Sequence, residues 1–337
     1  GLVFLMFMAG LETKLSSFRE SSKSVFLLAF INGAIPFVTG MLVAHFFGYG
    51  LPAQWLLGRV FVSSSIAVVI PTLEANKMFD LKIGKTVMIT SIIQDVASLM
   101  LLSIFLQESK PQTFVPLFLF YPLLIVSLIA MRYLIPKIDR VLNDLALSDD
   151  TFQTETRTTF LVLLGTVIIF QLLGLHPIIG GFFAGVVLSG TITDEVIKGK
   201  LRAISYGIFI PTFFIVIGTQ TDLDVLFNLG NALLLTGVVV VSSILSKFIS
   251  GAVGAKLVKF DTPQSLFFGA SSIPQLSTTL AVAYSAKSFN LISNELNTAL
   301  VALSIISTLL GPFLMSSFNK KALKVKKGLI SSITSRE

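Results

Sequence analysis

Asp95 is the only ionisable side chain between Lys85 and Glu108, in the apolar stretch TVMITSIIQDVASLMLLSIFLQ. A carboxylate at that depth in a bilayer costs about 2.5–3.5 kcal/mol on insertion scales, so a lone one marks a candidate functional site. Lys247 mirrors it, as the only ionisable residue between Asp224 and Lys256. Counted along helices, Asp95 lies ~15 Å from Lys85 and Lys247 ~13.5 Å from Lys256, so both charges are predicted at one level. Pairing would relieve the cost of burying each. The competing readings are an aspartate hydrogen-bonded between helices and a lysine whose stem snorkels to the interface.

Two more segments cross that level with residues that weaken helices. In 54–74, Ser63, Ser64 and Ser65 are followed by Pro71. In 264–285, GASSIPQLSTTLAVA gathers Ser272, Pro274, Gln275 and Ser277. Proline removes a backbone donor and frees a carbonyl, while Ser and Thr can re-satisfy loosened backbone. Unwound stretches inside a membrane line cavities and coordinate ions through carbonyls and half-helix ends. Tight packing through small residues is the alternative for either segment alone. With Asp95 and Lys247 at the same depth, the set reads as an ion-binding site.

The elements that position these residues follow from composition. The chain is 53% hydrophobic and 13% charged, with a mean hydropathy of +0.87. It therefore reads as an all-α, polytopic membrane protein. Apolar segments lie at 1–11, 24–48, 54–74, 85–107, 113–136, 157–173, 177–192, 201–220, 231–257, 264–285 and 294–318. Most of the 25 Lys and Arg fall in alternate loops, clustered at 14–23, 77–85, 132–157, 198–202, 256–259 and 320–327. By the positive-inside rule those loops are cytoplasmic, as is the basic tail 321–337. The charge of +7 is thus a topology signal, and KKALKVKK reads as a membrane-surface anchor rather than a nucleic-acid arm. The short first segment predicts that its helix begins upstream of Gly1. Trp55 falls where an aromatic belt residue belongs, and Arg59 and Glu74, flanking the first broken segment, read as interfacial anchors or a gate pair.

The order of segments is symmetric. Helices 24–48, 54–74 and 85–107 repeat as 231–257, 264–285 and 294–318 with opposite orientation, the middle one broken each time. That is an inverted repeat with two crossed, broken helices, the scaffold of alternating-access transporters. No Cys is present, and the chain carries no Cys/His metal cluster, phosphate loop or nucleophile–base pair. Catalysis and a bound cofactor are therefore not expected. An intramembrane aspartyl protease would need two acids sharing a proton, and Asp95 has no buried acidic companion. A sodium-coupled symporter of a small organic anion is the alternative function for the same architecture.

FLMFMAGLE at 4–12, SSSIAVVIPTLEANK at 63–77, SIIQDVASLMLL at 91–102, GGFFAGVVLSG at 180–190 and IPTFFIVIGTQTDL at 210–223 resemble the monovalent cation:proton antiporter-2 family. So do the Lys247 helix and the GASSIPQLSTTLAVA that follows. The resemblance runs in order through most of the chain. It implies a mobile core, here 24–107 and 231–318, beside scaffold and dimerisation helices, 1–23 and 113–220, in a homodimer in the cell membrane. It implies two further helices upstream. The family's ion-binding aspartate matches Asp95, its core lysine Lys247, and its unwound Thr/Ser position Ser64 and Ser65. On that match Asp95 would bind either a monovalent cation or a proton, with Ser64 and Ser65 adding oxygen ligands and Gln94 an uncharged donor and acceptor. A single carboxylate then predicts one cation per proton, an electroneutral exchange. Electrogenic sodium/proton members carry a second aspartate where this chain has Gln94, and the Gln-Asp pair is similar to the Kef-type potassium/proton members. Many relatives carry Arg and Glu in the second broken helix, where this chain has Gln275 and Ser277.

Overall fold

The computed structural model describes residues 1–12, 23–79, 81–109, 154–172, 177–190, 192, 195–219 and 231–334, with isolated helical positions at 122, 126, 130, 133 and 137. The expected span at 113–136 and the polar loop at 137–156 fall largely outside them. The chain divides into two compact units, one from Gly1–Arg19 and Ser103–Thr219, the other from Glu20–Leu102 and Gln220–Glu337.

The first unit contains α1 (Leu2–Glu12), α6 (Thr154–Leu172), α7 (Pro177–Leu188), α8 (Glu195–Ile204) and α9 (Ile210–Thr219). A π-helical turn, Ser205–Phe209, joins α8 to α9 within what reads from sequence as one regular span. Helix α1 packs on α7 at glycine contacts. A Cβ on Gly185 would stand 2.1 Å from the Phe7 carbonyl, and one on Gly10 2.0 Å from that of Phe182. Only glycine allows backbones so close, the small-residue packing that membrane helices use.

The second unit holds α2 (Lys23–Phe46), α3 (Leu51–Val62), α4 (Ile66–Ala75), α5 (Lys82–Ser109, through Leu102), α10 (Asn231–Leu257), α11 (Thr262–Ser271), α12 (Ser277–Ser288) and α13 (Asn294–Thr334). Its helices are turned inside out relative to a water-soluble protein. Helix α2 buries Asn32, Gly33, Pro36 and Gly40 while Phe30 is 70% and Phe46 80% exposed. Helix α10 buries Ser243, Ser246, Lys247 and Ser250, and exposes Leu234, Val241, Leu245 and Ile249. Exposed aliphatic and aromatic faces on such long helices suit a hydrocarbon solvent. Among the described residues five helices are long and apolar enough to span it.

Both expected breaks are present. The first stands at Ser63–Ser65, between α3 and α4, where the Ser63 hydroxyl donates to the Val60 carbonyl and competes with the helical ladder. Pro71 does not belong to it. Proline 71 lies within α4, exposed, where its missing N–H removes a bond near the start of a short half-helix. The second break runs from Ser272 through Leu276, and includes Pro274 and Gln275. Ser277 is the first residue of α12 and so starts the half-helix rather than lying in the unwound stretch. The two breaks cross, with the Ser65 N–H donating to the Pro274 carbonyl at 2.7 Å. Helix α13 presses on this crossing at Gly311, whose Cβ, if added, would meet the Pro274 ring at 2.4 Å. The same helix continues to Thr334, so residues 321–334 are helical and continuous with α13.

An apolar cluster of Leu28, Val69, Leu73, Met78, Ile83, Val87, Phe260, Phe267 and Met315 closes one end of the unit. Lys82 Nζ lies 5.7 Å from the centre of the Phe260 ring there, so two of the basic loops share that end.

Candidate functional site

The crossing leaves two kinds of helix end in the interior. Helix α3 stops at Val62 with its last carbonyls unpaired in the helix, and α4 and α12 begin with free N–H groups. The partial charges at these ends are negative and positive respectively. Lys247 and Asp95 sort accordingly. Lys247 Nζ donates to the Val62 carbonyl at 2.8 Å and to Gln94 Oε1 at 3.1 Å. Asp95 Oδ1 accepts from the Ser64 N–H at 3.4 Å and from the Thr278 hydroxyl at 3.0 Å. Ser64 precedes α4 and Thr278 is the second residue of α12, so the carboxylate faces the starts of two half-helices from opposite repeats.

Lys247 and Asp95 therefore share a level without forming an ion pair. Lys198 and Glu195, by contrast, do form an ion pair, on the surface of the first unit. The expected direct pairing is replaced by Gln94, which accepts from the lysine while its amide donates to the Ala29 carbonyl at 3.5 Å. Because an ammonium has no acceptor, the oxygen of Gln94 must face it. Lys247 is fully buried and does not snorkel.

Further polar groups surround the crossing. Ser64 Oγ lies 3.4 Å from Ser91 Oγ, and Ser63 Oγ 3.0 Å from Thr279 Oγ1. Ser65 Oγ is buried without a hydrogen-bond partner, an oxygen with lone pairs uncommitted. Gln275 Nε2 donates to the Phe61 carbonyl at 3.4 Å, adding a second cap to the end of α3. Its own backbone is held by Ser307, which accepts from the Gln275 N–H at 3.1 Å. Ser272 accepts from Asn32 at 2.9 Å, and Asn32 in turn accepts from Ser250 at 2.9 Å. Ser277 is buried beside Thr278.

Of the residues expected from sequence, Asp95, Gln94, Ser64 and Lys247 are joined in this network, and Ser65 lies in the crossing. Thr278 and Asn32 carry roles that sequence reasoning had not singled out. Thr278 was visible only as one of several hydroxyls in a polar run, and Asn32 only as a polar residue in an apolar helix. Arg59 and Glu74 are not a gate pair. Glu74 is exposed, while Arg59 is 1% exposed and donates to the carbonyls of Trp55 and Leu101.

A bilayer-adapted surface, an inverted repeat and two broken helices crossing at a buried Asp and Lys define a multi-pass integral membrane protein of the crossed-helix kind. Residues 1–318 match the model of the transmembrane sodium/hydrogen exchanger family, and the chain belongs to that family. It is 31% identical over 331 residues to a probable Na⁺/H⁺ antiporter 3 of Methanocaldococcus jannaschii, covering 96% of this chain and 84% of that protein. It is 27% identical over 331 residues to a Na⁺/H⁺ antiporter of Enterococcus hirae, covering 95% of this chain and 84% of the relative. The fold is similar to the solved structure of the sodium proton antiporter MjNhaP1 from M. jannaschii. The TM-score is 0.66 at 17% identity, over 96% of this chain and 83% of that one.

Proposed function

We propose that this protein exchanges a monovalent cation, Na⁺ or K⁺, for protons across the cell membrane by alternating access, with Asp95 as the shared binding group. The observation that carries this reading is the separation of Lys247 from Asp95. Lys247 gives two of its three donors to Val62 and Gln94 and makes no ion pair with Asp95, so the carboxylate of Asp95 is left to a small cation or a proton. Oxygen donors are what a hard monovalent cation needs, and Ser64, Ser65 and Thr278 supply hydroxyls around the crossing. A bound proton removes the charge that attracts the cation, and a bound cation lowers the carboxylate's affinity for a proton, so the two compete. The organic-anion symporter reading loses its support here, because the lysine such an anion would need is already bonded within the protein.

In this reading the second unit is the moving core and the first, with its glycine-packed α1 and α7, the scaffold and homodimer contact. The division of the chain into two compact units supports it. The clustering of basic loops at the end near Lys82 and Phe260 supports a cytoplasmic orientation for that end. The bilayer and the transported ions are then its partners, with no nucleic acid.

The test is exchange in liposomes that contain a pH-sensitive dye, with Na⁺, K⁺ and Li⁺ added in turn. Cation-dependent proton movement is expected from the wild type and is expected to vanish in Asp95→Asn, which keeps shape and hydrogen bonding but loses the charge. Wild-type exchange by that variant would refute Asp95 as the site.

A further inference from the structure

Arg59 is buried one turn before the first break, and its contacts form a clamp. The guanidinium donates through Nη1 to the Leu101 carbonyl on α5 at 2.9 Å and through Nε to the Trp55 carbonyl of its own helix at 3.1 Å. In return, the backbone carbonyl of Arg59 accepts from the Ser98 hydroxyl on α5 at 3.3 Å, and Ser98 is fully buried. Two of these contacts, Arg59 to Leu101 and Ser98 to Arg59, therefore join α3 to α5. Ser98 and Leu101 lie three and six residues beyond Asp95, ~4.5 and ~9 Å along the helix. On the other helix, Arg59 stands five residues before Ser64, whose N–H reaches the Asp95 carboxylate.

That reach is 3.4 Å, long for an N–H to carboxylate bond. A shift of α3 away from α5 by a few tenths of an ångström would lose it, and a small approach would strengthen it. The spacing of these two helices next to Asp95 is what the clamp fixes. A guanidinium suits this task because its planar fork holds two carbonyls in fixed directions, which a single ammonium does not.

We propose that Arg59 is a positioning residue for the cation and proton site, setting the distance between the Ser64 N–H and the Asp95 carboxylate by clamping α3 to α5. This rests on the reading of Asp95 as that site. The role differs from that of an interfacial anchor, since the side chain never reaches the surface.

The experiment compares the full chain and its variants Arg59→Met, Arg59→Lys, Ser98→Ala and Asp95→Asn in liposomes. It reads the apparent KM for Na⁺ and for K⁺ and the Vmax per folded protein. Arg59→Met is expected to raise the KM of the transported cation about tenfold, the size of one displaced charge-assisted bond, with Vmax within about twofold. Arg59→Lys is expected to recover only part of that loss, because an ammonium can still reach the Leu101 carbonyl but cannot hold two carbonyls in fixed directions. Ser98→Ala, which removes the second point, is expected to raise KM about threefold. A fall in Vmax with KM unchanged would mean that Arg59 only supports folding, and overturns the proposal. Where Arg59→Met yields no folded protein, Ser98→Ala decides alone, and a wild-type KM there overturns it. Exchange persisting in Asp95→Asn would overturn the reading of the site itself, whereas unchanged KM values with Asp95→Asn inactive would overturn the clamp alone.

Discussion

Thr278 is the residue whose role is hardest to see in the sequence and easiest to test. Its hydroxyl donates to Asp95 Oδ1 at 3.0 Å, across 183 residues of chain. A hydrogen bond to a charged group contributes about 1.5–3 kcal/mol. Thr278→Val keeps volume and branching but removes the donor, which penalises the charged carboxylate that a cation needs. The apparent KM for the cation should rise about tenfold, and Thr278→Ser should stay near wild type. A valine variant with unchanged KM would show that the bond has no part in binding. Asp95 and Lys247 were legible because each is a lone charge in an apolar segment, and cost alone singles such residues out. Thr278 lies in a run of Ser and Thr in which composition gives no reason to prefer one hydroxyl. Only the crossing of two distant segments selects it. The missing Asp95–Lys247 ion pair has the same origin, since depth along a helix fixes a level but not the direction a side chain takes.

At the scale of elements, apolar length and loop charge were enough to place the helices. Ten of the eleven expected segments coincide with described helices or with helix pairs broken where expected. What failed were details governed by local competition. Pro71 looked like a breaker, yet the break falls at three serines whose hydroxyls can replace the helical bonds they disrupt. The π turn at Ser205–Phe209 has no sequence signal that periodicity could detect. Beyond 320, Lys, Ala and Leu are all good helix formers and α13 continues through them. One contact between elements makes a sharp prediction. Gly311 lets α13 lie against the Pro274 ring, so Gly311→Ala must push the second crossover or α13 aside. Overpacking of this kind costs about 1–3 kcal/mol. The variant should melt several degrees lower in detergent than the wild type and, because Pro274 accepts from Ser65, should also slow exchange. Unchanged melting and rate would show that α13 can yield there without disturbing the crossing.

At the scale of the whole molecule, the second unit is built on a repeat that its residues barely reveal but its hydrogen bonds do. In the first repeat, the third helix holds the unwound backbone of the second through Ser64 N–H to Asp95, 31 residues apart. In the second repeat, Gln275 N–H to Ser307 does the same, 32 residues apart. The latches correspond in position and differ in charge, one carboxylate against one hydroxyl. That asymmetry bears on stoichiometry. If Ser307 were acidic, two exchangeable charges would face the crossing, and more than one proton could be traded for a cation. With Asp95 alone, a cation leaving in exchange for one proton returns the core to the same net charge, so the cycle should move no net charge. A membrane potential of 100 mV acts on one net charge with about 2.3 kcal/mol, roughly a fiftyfold effect on an equilibrium. Liposomes holding equal cation on both sides should therefore develop no pH difference when a potential is imposed with an inert ion and its ionophore. A cation gradient should drive the same steady pH difference with or without that potential. A pH difference generated by voltage alone would mean that a second group, with Lys247 the first candidate, gives up a proton during the cycle.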